Sequence, residues 1–284
     1  MRAFLMMTSL KRKHSRRKMS NIPTLGHNDR FGLYDAPMGE RMHAIRAAGF
    51  DDVMIHWEME GDNSPEARFD MAMHAGLHVV TAHFQTETTP AAWTEGEAGD
   101  AYEKTLVDAL RACGERGIRH LVVHTTKKFI TPPYNMIGVR RFQRAAEAAE
   151  KYGVNIALEN TRFLDYNQYL YDHVPSERMK FCFDCGHANC FTPTQDPLGM
   201  FGDKLVTMHL HDNHGALAGD EHMLPGEGSI DFAALMQRLS KYHPAAYNLE
   251  SFYSKKDREE GLSMQEYLDR SYQVLSEMVK AVSK

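Results

Sequence analysis

Glu159, Asp184, His209 and Glu250 each close a short apolar run, and Asp184 and His209 follow Glu159 at equal intervals of 25 residues. Three carboxylates and an imidazole aimed at one point repel and desolvate one another unless a cation sits among them. The set therefore predicts a divalent metal site, and carboxylates left partly free beside it can act as acid and base. Further donors recur at comparable positions: His83, His124, His187, His211, Asp220 and His222. These could bind substrate hydroxyls or additional ions. The stretch FCFDCGHANC at 181–190 raises a different chemistry, because Cys182, Cys185 and Cys190 crowd around Asp184 and His187. A structural zinc site normally needs a second cysteine pair at matched spacing, and C-x-x-C stands alone here. Cys182 is expected to pack inside the fold and Cys185 and Cys190 to be loop neighbours, with Asp184 and His187 carrying function.

Residues so far apart in sequence converge only if regular elements bring them together. Eight apolar runs read as strands: 22–27, 52–57, 77–83, 120–124, 155–160, 179–184, 205–211 and 247–252. Between them lie amphipathic helical patterns, several stopping at glycine (Gly49, Gly76, Gly117, Gly153), the residue that favours the left-handed helix cap. Eight strand–helix units predict an α/β fold of the (β/α)8 TIM-barrel type, with a doubly wound open sheet as the alternative. In a barrel the strand C-termini meet on one face, which is where the polar residues fall.

The 284 residues, 43% hydrophobic and 25% charged, suit one globular domain over 21–284, and no proline- or glycine-rich linker divides them. Net charge is −5, which weighs against general nucleic-acid binding. No apolar run approaches the roughly 20 residues that span a bilayer, so no membrane partner is expected. Four cysteines are too few for a disulfide framework, which fits a reducing cytoplasm. Residues 1–20 are basic and acid-free, and read as a disordered tail outside the fold; their apolar stretch precedes the basic cluster, the reverse of signal-peptide order.

Five motifs in order, LENT at 158–161, FDCGHAN at 183–189, HLHDN at 209–213, DEHMLPGEG at 220–228 and NLES at 248–251, resemble the xylose isomerase-like TIM barrel superfamily. That superfamily contains sugar isomerases and epimerases, inosose dehydratases and the endonuclease IV group. The resemblance to its ketose 3-epimerases implies one divalent ion, Mn2+ or Zn2+ with Mg2+ or Co2+ as alternatives, held by Glu159, Asp184, His209 and Glu250. It also implies substrate contact by His187. Those epimerases use an arginine six residues beyond the metal histidine, where this chain has Gly215. The resemblance to endonuclease IV implies a three-zinc set, matched here by His83, His124, Glu159, Asp184, His187, His209, Asp220, His222 and Glu250. Against a nuclease, HFQTETTPAAW at 83–93 offers acids and no base to a phosphate backbone.

The resulting expectation is a metal-dependent isomerase or epimerase of a ketose or related polyol, moving a proton between Glu159 and Glu250. The alternative is an abasic-site phosphodiesterase with several zinc ions. Trp57, Phe84 and Trp93 are expected to stack on the sugar. A small-molecule sugar is the expected partner, with homo-oligomerisation open. No glycine-rich phosphate loop or arginine clamp is visible, which favours an unphosphorylated substrate.

Overall fold

The structure is a computed structural model describing residues 23–32, 36–244 and 246–283, so the expected tail at 1–20 lies outside the described residues. Eight parallel strands close on themselves in sequence order: β1 Thr24–Asn28, β2 Asp52–Trp57, β3 Thr81–Phe84, β4 His120–Val123, β5 Asn155–Glu159, β6 Met179–Asp184, β7 Leu205–Leu210 and β8 Ala246–Leu249. Among the described residues ten α-helices accompany them: α1 Met38–Ala48, α2 Pro65–His74, α3 Glu97–Arg116, α4 Met136–Tyr152, α5 Leu164–His173, α6 Cys185–Cys190, α7 Pro197–Phe201, α8 Phe232–Ser240, α9 Lys255–Glu259 and α10 Met264–Val282. The fold is a (β/α)8 barrel in a single domain. No described helix is long and apolar enough to cross a membrane.

Local chemistry sets the element ends. Gly49, Gly117 and Gly153 cap α1, α3 and α4 in the left-handed conformation and return the chain to the next strand. Asn135 starts α4 by accepting from the amides of Ile137 and Gly138 at 2.9 and 3.2 Å. One expectation is corrected: Cys185 and Cys190 belong to a short helix rather than a loop. Asp184 caps that helix by accepting from the His187 amide at 2.6 Å, so the carboxylate at the end of β6 also starts α6. The four cysteines are buried and free.

Side chains alternate along the strands, apart from an irregularity where β7 slips against β6 beside Phe181 and Cys182. One face of the sheet packs against the helices and forms the large hydrophobic core, which includes Phe84, Leu121, Leu158, Phe181 and Leu210. The other lines the barrel, where Val122, Ala157 and Cys182 form a separate small cluster. By the same parity His83, His124, Glu159, Asp184 and His209 stand above that cluster. Their strands are staggered, as closure requires. Asp184 registers with His209, but Glu159 registers with Cys182, two residues before Asp184.

Deeper in the barrel the lining turns polar. The Asn248 amide donates to Thr207 Oγ1 at 3.2 Å, and a Cβ on Gly26 would sit 2.2 Å from Asn248 Oδ1 and 3.2 Å from Asp52 Oδ2. Glycine alone permits that approach. Asp52 is fully buried; one oxygen accepts from the Val80 amide at 3.0 Å and the other has no partner. Burial pushes its carboxyl from the ordinary 3.8 up to about 8, so it is neutral at pH 7. A carboxyl whose folded pKa is raised makes folding take up a proton, so stability declines as pH climbs from about 4 towards 8. Asp52→Asn, which mimics the neutral acid, should remove that slope. Urea titrations should find the variant more stable than the parent by on the order of 4 kcal/mol at pH 7, falling to about 1 kcal/mol at pH 4.5. A difference that does not vary with pH would contradict this.

Candidate active site

Glu159, Asp184 and His209 are fully buried and Glu250 is 6% exposed, yet one donor atom from each lies within 4.8 Å of the others. His209 Nδ1 is 3.0 Å from Glu250 Oε2, 3.4 Å from Glu159 Oε1 and 3.6 Å from Asp184 Oδ2. Neither ring nitrogen of His209 has an aligned hydrogen bond, and Glu159 Oε1 has none either. One imidazole nitrogen facing three carboxylates without bonding any of them is an arrangement that could hold a shared cation.

The backbone holding this set is itself clasped. Asn160 donates to the Asp184 carbonyl at 2.7 Å and accepts from the Asp184 amide at 2.8 Å, while Asn167 donates to the Glu159 carbonyl at 3.0 Å. The ends of β5 and β6 are thus joined beyond the sheet ladder. Electrostatics follow from the crowding. Burial pushes the Glu159 carboxyl up, but His124 and His209 beside it outweigh this and hold it well below the usual range. Glu250 is opposed by burial and likewise held well below by His209. Burial disfavours charge on His209, yet Cys182, Glu250 and Glu159 raise its pKa well above the ordinary value.

A second layer of donors surrounds the first. His83 Nε2 and His124 Nε2 lie 3.2 and 2.9 Å from Glu159 Oε2. His187 bridges outward, with Nδ1 3.0 Å from Glu159 Oε1 and Nε2 3.2 Å from Asp220 Oδ2. His211 Nε2 is 3.1 Å from Asp184 Oδ1, and its ring stacks on His222 at 4.1 Å. A Cβ on Gly186 would lie 1.9 Å from the His211 ring, so this glycine gives the imidazole its place. Two further groups have ligand atoms within 4.8 Å of one another: His83, Glu159 and His209, and His211, Asp220 and His222. His209 and His211 thus belong to two neighbouring groups, with His209 in the carboxylate set and His211 beside the loop that carries Asp220 and His222.

That loop is built by Asp212, whose carboxylate accepts from the amides of Gly226, Gly228 and Ile230 at 2.9, 2.9 and 3.1 Å. Asp212 and Met223 also exchange backbone hydrogen bonds at 2.8 and 2.9 Å. Asp220 and His222 therefore hang over the barrel mouth on a loop tied at its base. His222 has a φ of 49°, and its Nδ1 lies 2.7 Å from the Glu250 carbonyl.

The three aromatics expected to stack on substrate are corrected. Trp57 and Phe84 occupy the opposite parity to His56 and His83, so they point into the helical layer: Trp57 lies under Arg116 at 6.0 Å and Phe84 meets Tyr102 at 5.7 Å. Trp93 is 1% exposed, donates its indole N–H to the Thr125 carbonyl at 2.8 Å and packs on Phe142 and Tyr166. Sequence reading missed His56, which registers with His83 and stacks on it at 5.2 Å while Asp29 Oδ1 holds its Nδ1 at 2.8 Å. Parity along β2 was the available signal. Asn160 and Arg162, inside and just after the LENT motif, were also missed.

Residues 42–270 match the sequence profile of the xylose isomerase-like TIM barrel family, and the chain belongs to that family. It is 31% identical over 248 residues to the uncharacterized protein y4fM of Sinorhizobium fredii, covering 73% of this chain and 78% of that protein. Among solved structures, a D-tagatose 3-epimerase-like protein superposes with a TM-score of 0.71 at 20% identity, over 91% of this chain and 98% of its own. D-psicose 3-epimerase from Clostridium cellulolyticum, solved with D-tagatose, gives 0.73 at 14% identity, over 92% of this chain and all (100%) of its own. At these identities the structural likeness speaks for the fold.

Proposed function

We propose that the protein is a divalent-metal-dependent epimerase or isomerase of a ketose or related polyol, working by proton transfer between Glu159 and Glu250. The observation that carries this reading is His209 Nδ1 facing Glu159, Asp184 and Glu250 without a hydrogen bond. The residues fit a hard or borderline divalent ion, since the donor set is oxygen and imidazole nitrogen and its orphaned atoms are buried. Such an ion would act as a Lewis acid on a carbonyl oxygen, lowering the cost of removing a neighbouring C–H proton.

The chain's own groups then divide the work. Glu159 ends β5 and Glu250 directly follows β8, with β6 and β7 between them, and in this reading the two flank the substrate carbon. One glutamate, as the carboxylate, takes the proton while the C–H electron pair passes into the carbonyl; the other, protonated in the substrate complex, gives its proton to the opposite face as that pair returns to carbon. His187, fixed between Glu159 and Asp220, can orient a hydroxyl. The fold's likeness to sugar 3-epimerases supports the same substrate class.

A second reading has specific support: the two additional donor groups around Glu159 and Asp220 would suit several zinc ions and phosphodiester cleavage. Metal-replete protein incubated in D2O with a panel of ketopentoses and ketohexoses tests the first. Deuterium should appear at the carbon beside the carbonyl, with no incision of abasic-site duplex DNA. Incision above a metal-only control, with no deuterium uptake into any sugar, would reverse the assignment.

A further inference from the structure

Arg162 follows Glu159 by three residues and stands, half-buried, at the rim of the same mouth. Its guanidinium lies 4.0 Å from the Phe191 ring centre and 5.4 Å from that of Phe129. Among the described residues it makes no ion pair and no hydrogen bond. This sets it apart from the half-buried Arg116 and Arg178, which donate to backbone or amide oxygens, and from the fully buried arginines. Arg41 bonds Glu60 and the Asp29 carbonyl, Arg68 lies 2.7 Å from Asp29 Oδ2, and Arg141 donates to Asp100 and to the carbonyls of Ala91, Ala92 and Thr94. Among the described residues every fully buried guanidinium bonds a carboxylate or a carbonyl, and the half-buried one beside the site bonds neither.

The acid that acts on Arg162 is Asp220, which lies beyond ion-pair distance and already faces His187 and His222. Burial lowers the arginine's pKa, but a guanidinium stays charged in proteins. A half-buried cation whose only close neighbours are aromatic faces suits an anion from outside the chain. Its position fixes where that anion belongs. Phe191, on which it stacks, meets the His187 ring at 5.0 Å, and His187 Nδ1 is 3.0 Å from Glu159 Oε1. One imidazole and one phenyl ring thus separate the reacting carboxylate from the cation. A guanidinium lying on an aromatic face keeps its N–H edge free for bidentate bonding to a carboxylate or phosphate.

We propose that Arg162 is a specificity residue that binds an anionic group, phosphate or carboxylate, at the end of the substrate remote from the reacting carbon. This rests on the proposed sugar chemistry of the mouth, and it replaces the expectation of a neutral, unphosphorylated substrate. The substrate class becomes a ketose phosphate or a keto-sugar acid.

Calorimetric titration of the metal-loaded full chain with D-fructose, D-fructose 6-phosphate, D-fructuronate and inorganic phosphate tests it. One of the two charged sugars should bind at least about 30-fold more tightly than D-fructose, in line with hydrogen bonds to a charged group. Competition by inorganic phosphate would identify phosphate as the anion; preference for D-fructuronate without such competition would identify a carboxylate. Arg162→Gln should bring the charged and neutral sugars to within about 3-fold of each other, whereas Arg162→Lys, which keeps the charge, should retain part of the preference. Melting curves of both variants establish that they fold, and if the glutamine variant does not, a preference undiminished in the lysine variant overturns the proposal. So does wild-type binding of all three sugars within 3-fold, or a preference that survives Arg162→Gln. An Arg162-dependent preference for anions in a protein that exchanges no sugar proton in D2O would sustain this inference while removing the epimerase reading.

Discussion

Glu159→Gln and Glu250→Gln should each lower kcat for sugar epimerisation by about 10³-fold or more, because general acid–base groups contribute roughly 10²- to 10⁴-fold apiece. Glutamine keeps a carbonyl oxygen that can still face a cation but cannot accept or return a proton. The two variants should fail differently. If Glu159 removes the proton from one epimer and Glu250 from the other, each variant retains slow deuterium exchange from a single epimer, and the retained epimers are opposite. Measuring exchange separately from each epimer, beside metal content, distinguishes lost proton transfer from lost ligand. Turnover within 10-fold of wild type in either variant would remove that glutamate from the reaction.

Purified protein should carry close to one divalent ion per chain, and its removal by chelator should cost on the order of 3–4 kcal/mol of stability at ion concentrations 100 to 1,000 times the Kd. Part of that loss is the return of unshielded repulsion among Glu159, Asp184 and Glu250. Asp184→Asn and His209→Ala should abolish the stabilisation. His83→Ala, His124→Ala and His222→Ala should leave the ion in place and weaken substrate binding instead. The expectation of a single ion follows from proton transfer, which needs carboxylate oxygens free to act. Glu159 already has His83 and His124 against one oxygen and His187 and His209 against the other. Three ions lost stepwise with those histidines would support the hydrolase reading, provided activity returns with the same ion that is counted.

The barrel and its four-residue centre were legible because both depend on repetition. Apolar runs with glycine-terminated helices between them signal strand–helix units, and acids at the ends of such runs recur at the unit's own interval. Side-chain direction was less legible where two adjacent residues both suited the mouth. At the ends of β2 and β3 the aromatics Trp57 and Phe84 look like sugar platforms, but a period of two turns them outward and leaves His56 and His83 inside. The stagger between Glu159 and Asp184 was hidden as well, because equal spacing in sequence says nothing about shear. Arg162 carries no periodic signal at all. What marks it is the want of a hydrogen bond or ion pair among the described residues, and partners are a property of the folded molecule.

The loop anchored by Asp212 separates what is held from what does the holding. Its base is fixed by bonds from one carboxylate to Gly226, Gly228 and Ile230 and by the Asp212–Met223 bridge. Residues 214–219 lie outside those bonds. Descendants of this chain can therefore lengthen, shorten or rewrite that span, and so change what the mouth admits, without disturbing the barrel strands beneath it. What the mouth admits thus becomes editable in one short stretch of rim, apart from the scaffold that carries it.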